Sequence, residues 1–203
     1  MEYVLIAAVV LLLVLLGAFA LPGVICPWLE KKAWLKLAAR TGLTYVPRSF
    51  LGIPKRGRIT GTYRGRDLAL DTFKYLGIDL YMRIVLSVSN RAGGSLLVLG
   101  KPFGNQSSHV GDTQFDQFLI SESQPEDFVA EVFASTDLRQ GFQDAVQGIG
   151  PGCYYVEVSG HMLRFEHQPR WHFFRGVDRN VDRLQSLFDV LCNVAEAVDQ
   201  ATR

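Results

Sequence analysis

The 203-residue chain predicts an α+β domain behind an N-terminal transmembrane helix. Three observations predict it: an uncharged apolar run at the start, segments of period-two hydrophobicity from Arg58 onward, and a one-faced helical pattern at the end.

The apolar run, Tyr3 to Ile25, reads YVLIAAVVLLLVLLGAFALPGVI. A bilayer's hydrocarbon core needs about 20 such residues at roughly 1.5 Å each. Tyr3 and Trp28 bracket the run, where aromatic rings favour the two headgroup regions. Pro22 and Gly23 sit near its far end, where a helix can bend or stop. Ala18-Phe19-Ala20 has the small residues of a signal cleavage site. However, Glu2 is the one charge ahead of the run, where a signal peptide carries Lys or Arg, and the run exceeds the roughly 7–15 apolar residues of such peptides. Cys26 lacks the preceding small residues that lipoprotein processing needs. Residues 1–27 are therefore expected to remain as a single-pass anchor.

Charge sets the expected orientation. From Cys26 to Arg66 the chain carries ten Lys and Arg against Glu30 alone, a balance of +9. From Asp67 onward it carries eleven basic and eighteen acidic residues, or −7. The overall +1 hides this asymmetry. Basic residues flanking a span stay on the cytoplasmic side, so the inner membrane is expected to hold the chain with Met1 outside and the C-terminal domain in the cytoplasm. Cys26, Cys153 and Cys192 form no CxxC pair, which agrees with a reducing compartment.

The elements follow in order. Residues 28–56 read as a juxtamembrane basic helix and connector, with a helix from Trp28 to Gly42. Its Lys32, Lys36 and Arg40 recur every four residues as one basic stripe, while Trp34, Leu37 and Ala38 lie on another side. Residues 57–203 read as the soluble domain. Arg58–Tyr63 and Asp67–Phe73, separated by Arg64-Gly65-Arg66, predict a hairpin. Leu80–Ser89 alternates Tyr81, Arg83, Val85 and Ser87 against Met82, Ile84, Leu86 and Val88. Ser95–Gly100 is a further apolar strand, 101–113 a polar loop, and Phe115–Ile120 extended. Ser123 and Glu126 match an S-x-x-E capping box before a helix bearing Phe128, Val129, Val132 and Phe133. Ser135 or Thr136 caps a second helix with Leu138, Phe142, Ala145 and Val146 inward. Gly148–Gly152 breaks the pattern, and Cys153–Val158 with Met162–Phe165 predict a hairpin around Ser159-Gly160-His161. Val181, Leu184, Leu187, Phe188, Leu191, Ala195 and Val198 keep the 3–4 spacing of a one-faced terminal helix. The sum is a mainly antiparallel sheet of about seven short strands, an inserted helix pair and a C-terminal helix. By element count this also describes a pleckstrin-homology-like barrel.

Gly111-Asp112-Thr113-Gln114-Phe115-Asp116-Gln117-Phe118, together with Trp34-Leu35-Lys36-Leu37-Ala38 and Gly42-Leu43, resembles uncharacterised prokaryotic membrane-anchored domains with an FDxF-like strand before a helical segment. The resemblance implies no activity and no catalytic residue.

Candidate chemistry is sparse. His161, His167 and His172 cluster, but their offsets of six and five residues do not match paired zinc-ligand spacing. Strand alternation puts His161 and Phe165 on one face and leaves His167 near a loop. Asp112 beside Gly111 reads as a turn residue and Asp116 as solvent-facing. Gly57, Gly61 and Gly65 have GxxxG spacing but lie among arginines, which excludes a membrane dimer motif. Gly148, Gly150 and Gly152 precede a strand, unlike a dinucleotide loop. No cofactor is expected and the chain is not expected to be an enzyme. The functional lead is basic: Lys32, Lys36 and Arg40, then Lys55, Arg56, Arg58, Arg64 and Arg66, form the candidate surface for anionic lipid or an acidic partner. The anchor and the acidic remainder argue against nucleic acid. The expected partners are the lipid bilayer and a membrane protein. The expected function is a non-enzymatic cytoplasmic interaction or scaffold module, an accessory subunit of a membrane complex. An anionic-lipid-binding domain and a metal-dependent hydrolase are the alternatives.

Overall fold

The structure is a computed structural model that describes residues 28–50, 53–75, 79–100, 119–150, 152–169 and 179–201. Among these no helix is long and apolar enough to cross a membrane, and the expected span over residues 3–25 lies outside them. The elements are α1 (28–41), β1 (Thr44–Phe50), β2 (Ile53–Tyr63), β3 (Arg66–Tyr75), β4 (Asp79–Ser87), β5 (Ser95–Gly100), β6 (Leu119–Gln124), α2 (Phe128–Val132), α3 (Thr136–Gly148), β7 (Gly152–Ser159), β8 (Met162–Pro169) and α4 (Val181–Gln200).

The described strands form one eight-stranded antiparallel sheet in the order β1-β2-β3-β4-β8-β7-β5-β6. The α+β class therefore holds, with one strand more than expected and β1 and β6 at the ends of the described sheet. A pleckstrin-homology-like strand order is not what forms, because the β7–β8 hairpin inserts between β4 and β5. Strand β1 is the addition. Pro47 interrupts its pattern and coincides with a register shift between Val46 and Arg48, an edge feature that a proline tolerates. Residues 28–56, expected to be a helix and connector outside the domain, thus supply an integral strand and a packed helix.

One face of the sheet is the core. Ile59, Leu70, Met82, Ile84, Leu86, Leu163, Phe165, Val156 and Val98 lie on it fully buried, in the register that the alternation of β4 predicts. Helix α4 covers it with Leu184, Leu187, Phe188, Leu191 and Ala195, the stripe read from the sequence, and α1 adds Trp34 and Leu37. Asn180 caps α4 by accepting from the amides of Asp182 and Arg183 at 3.0 and 3.1 Å. Ser135 caps α3 as expected. The S-x-x-E box does not form. Ser123 belongs to β6 and donates its hydroxyl to the Glu126 carbonyl at 2.6 Å, while Asp127, the N-cap residue of α2, makes no side-chain cap bond.

The inserted hairpin forces the chain to cross from β4 to β5 past its turn, a distance of three strand spacings, or about 14 Å. Residues 88–94 make the crossing, and several of their polar groups are tied to neighbours that hold them there. Val88 N–H donates to the His161 carbonyl at 3.0 Å, and the buried Asn90 side chain donates to Gly94 and Gly160 carbonyls at 2.8 Å each. Asn90 adopts φ 37°, a left-handed conformation that Asn accepts more readily than most residues. The Asp199 carboxylate at the end of α4 accepts from the amides of Ser89 and Asn90 at 2.6 and 3.1 Å, and pairs with Arg66 at 2.7 Å. Burial alone would raise the pKa of this carboxyl, but Arg66 and the two amides outweigh it and hold the pKa low. Asp199→Ala leaves those amides and Arg66 without their acceptor and is expected to destabilise the domain by about 2 kcal/mol, with Asp199→Asn less affected. Denaturant unfolding followed by tryptophan emission checks this.

Candidate functional site

The eight basic residues of the candidate lipid or acidic-partner surface lie in three places. Lys32, Lys36 and Arg40 stand on the exposed side of α1, Lys55, Arg56 and Arg58 lie on β2, and Arg64 and Arg66 flank the β2–β3 turn.

The turn arginines differ most from expectation. Tyr63 faces Arg66 across a two-residue turn in which Arg64 and Gly65 take φ 49° and 78°, the geometry of a tight type I′ hairpin. This turn lies against α4. Arg64 donates to Asn193 at 2.8 Å and the Asp189 carbonyl at 3.2 Å, and pairs with Glu196 at 3.0 Å. Tyr63 donates to Asp189 at 2.8 Å, and its ring meets Phe188 edge-on at 5.9 Å. Burial and then the Asp189 carboxylate push its phenol up to about 12. Arg66, 14 % exposed, is held by Asp199 and the Ser87 carbonyl. Arg40 pairs with Asp182 at the other end of α4. Arg40, Arg64 and Arg66 are therefore answered within the chain. The sequence carried the signal in Asp182, Asp189 and Glu196, which recur every seven residues along α4.

Helix α1 is divided cleanly. Glu30, Trp34, Leu37 and Ala38 are buried, whereas Trp28, Lys31, Lys32, Leu35, Lys36, Ala39 and Arg40 are exposed. Two large apolar side chains share that outer face, Trp28 at 53 % and Leu35 at 44 % exposure. Lys32 Nζ lies 3.8 Å from the Trp28 ring centroid.

Arg58 points the other way, from the open face of the sheet, the one that no helix among the described residues covers, where it borders a 510 Å³ hollow with Thr60, Thr62, Val85 and Met162. Two cross-strand rows cover this face. In one, Asp71 opposes Arg83, Arg83 opposes Glu166, and Glu166 opposes Tyr155. Arg83 grips Asp71 with both prongs at 3.0 and 2.8 Å and stacks over Phe73 at 4.9 Å. In the other, Val85 opposes Arg164, Arg164 opposes Glu157, and Glu157 opposes Leu97. Arg164 bonds Glu157, approaches Glu166 at 3.8 Å and lies over the Tyr155 ring at 5.4 Å. Burial, then the Glu166 carboxylate, raise the Tyr155 phenol well above its usual range. Beyond these rows opens a cleft of 1070 Å³ lined by Leu97, Leu99, Glu122, Gln124, Tyr155 and Glu157.

The histidines are not brought together. His161 is exposed at the β7–β8 turn with Nδ1 3.0 Å from the Ser89 carbonyl. His167, expected near a loop, lies within β8 on the core face that Phe165 shares. His172, Asp112, Asp116 and the FDxF-like segment lie outside the described residues. Among the described residues no three His, Cys, Asp or Glu are placed to hold a metal ion. Cys192 is fully buried, as expected of a small hydrophobe, and burial pushes its thiol up to about 11.

No protein-family model and no curated protein matches the chain. A match exists among solved structures, to the crystal structure of the mycobacterial trehalose monomycolate transport factor A, TtfA, with a TM-score of 0.55. The chain resembles TtfA in fold. The match covers 83 % of this chain and 93 % of TtfA at 9 % identity, so the likeness is one of backbone architecture.

Burial holds the His167 pKa down at about 4, against a weaker opposing hydrogen bond to the Gly150 backbone. The unfolded chain takes up this proton near pH 6.5 and the folded one only near 4, so stability is full above pH 6.5 and falls as pH drops toward 4. In His167→Gln the loss over that range is expected to be shallower by about 2–3 kcal/mol. Denaturant unfolding of both proteins across the range measures the difference.

Proposed function

We propose that the chain is a non-enzymatic interaction module, an accessory subunit tethered to the cytoplasmic side of the inner membrane by residues 3–25, and that its open sheet face engages a membrane protein partner. The observation that carries this reading is how the ionisable groups of the open face are arranged. Arg83 is bonded to Asp71, Arg164 to Glu157, and Tyr155 has its phenol pKa raised by burial and Glu166. Groups tied in this way serve shape and charge recognition better than proton transfer, which needs an acid or base poised near the working pH. Beside them Leu97, Leu99 and Tyr155 supply apolar and aromatic surface in a wide cleft. An aromatic and apolar centre with a charged rim is the usual composition of a protein-binding patch.

The fold shared with TtfA supports the same reading, since that protein is a transport factor. The uncharged run ahead of a +9 segment supports the tether and its orientation. A photo-crosslinking residue at Leu97, introduced in the native host, is expected to give a discrete adduct with another membrane protein. The same residue at Arg183, exposed on α4, is expected to give none. Monomer alone from both positions, or equal adducts from both, would overturn the proposal.

A further inference from the structure

We propose that α1 lies flat on the anionic leaflet, with Trp28, Leu35 and Ala39 at headgroup depth and Lys31, Lys32, Lys36 and Arg40 on lipid phosphates. The inference rests on the tether of the proposed function and names the surface that the tethered domain touches.

The outer face of α1 has the layout of an interfacial helix. At 100° per residue, Trp28, Leu35 and Ala39 form a narrow central stripe, with Lys31 on one flank and Lys32, Lys36 and Arg40 on the other. Apolar residues between long basic side chains suit a boundary where the rings and aliphatic stems sink and the charges reach outward. Glu30, the single acid of the segment, is buried at 2 % exposure, so the outer face presents no negative charge. Two of the three large hydrophobic residues left exposed among the described residues lie on this one helix face.

Placement adds a second argument. Trp28 follows Ile25 by three residues, so the start of α1 is bound to lie near the bilayer when the run before it spans. A helix of this length extends about 21 Å. Standing upright, it would carry Arg40 beyond the Debye length of about 8 Å, outside the reach of the surface potential. Lying flat, it brings all four cations into that reach. Trp34 and Leu37 are fixed in the core, so docking α1 orients the whole domain and leaves the open sheet face, on the far side of the sheet, clear of lipid. The Arg40–Asp182 pair does not prevent this. Its partners are 48 % and 78 % exposed, and a pair so hydrated exchanges readily for a phosphate.

The test uses the full chain in lipid nanodiscs of phosphatidylcholine, with or without phosphatidylglycerol. An environment-sensitive fluorophore is placed at Leu35→Cys or, as control, at Gln147→Cys on α3, with Cys26 and Cys153 replaced by Ser and the buried Cys192 retained. With phosphatidylglycerol present, the label at 35 is expected to shift to the blue and to become about threefold less accessible to acrylamide, while the label at 147 is unchanged. Lys32→Glu with Lys36→Glu is expected to abolish the protection. Equal quenching at 35 in both lipids, with the protein retained in the discs, overturns the docking and leaves the tether standing. Protection at 35 that requires an added protein and not anionic lipid also overturns it. Release of the protein from the discs by an alkaline wash is a different failure, one that removes the tether and the docking together.

Discussion

The apolar underside of α4, packed into the core, is the contact on which the arrangement of the molecule depends, and its acidic edge is set against the arginines of α1 and the first hairpin. The last helix meets the first helix through Asp182 and Arg40, the β2–β3 turn through Asp189, Asn193 and Glu196, and the crossing segment through Asp199. Its underside supplies the stability. Leu184, Leu187, Phe188 and Leu191 are fully buried, and each such side chain contributes about 1.5–3 kcal/mol. The exposed ion pairs above them contribute about 0–1 kcal/mol apiece. Apolar burial therefore holds α4 down, and the ion pairs match charges along its edge.

That division explains the charge asymmetry of the chain. A +9 segment followed by a −7 remainder reads, in sequence, as a cationic surface seeking an external anion. Part of that demand is met inside the molecule, at Arg40, Arg64 and Arg66. Lys31, Lys32 and Lys36 remain directed outward on α1, and Arg58 on the open face of β2. The exposed lysines of α1 are thus the described cations nearest the expected membrane span.

The two sides of the sheet carry different physics. The core side is closed by helices and is almost wholly apolar, with His167 kept neutral among its neighbours. The open side pairs Arg83 with Asp71 and Arg164 with Glu157 and ends in a cleft that Leu97, Leu99 and Tyr155 line together with Glu122, Gln124 and Glu157. TtfA shares the architecture at 9 % identity. A fold retained at so low an identity constrains burial pattern and strand order far more than surface chemistry.

Much of the fold was legible in the sequence because its signals are local. The alternation of Met82, Ile84 and Leu86 marked the buried side of β4, Ser159-Gly160-His161 marked the second hairpin, and the spacing from Val181 to Val198 marked α4. Strand β1 was hidden by Pro47, and Ser123 read as a helix cap although a β-strand claims it. The site was less legible. The basic residues were found as types, but not which of them would meet α4, and the ion-pair rows of the open face went unseen. By itself the sequence determined most of the elements, their inward faces and the greasy leading run, since each depends on residues a few positions apart. The tertiary structure alone decided the strand order, the insertion of β7–β8 and the partner of each charge. Those depend on contacts between residues far apart in the chain, as with Met82 opposite His167 and Arg64 with Glu196, which no local periodicity records.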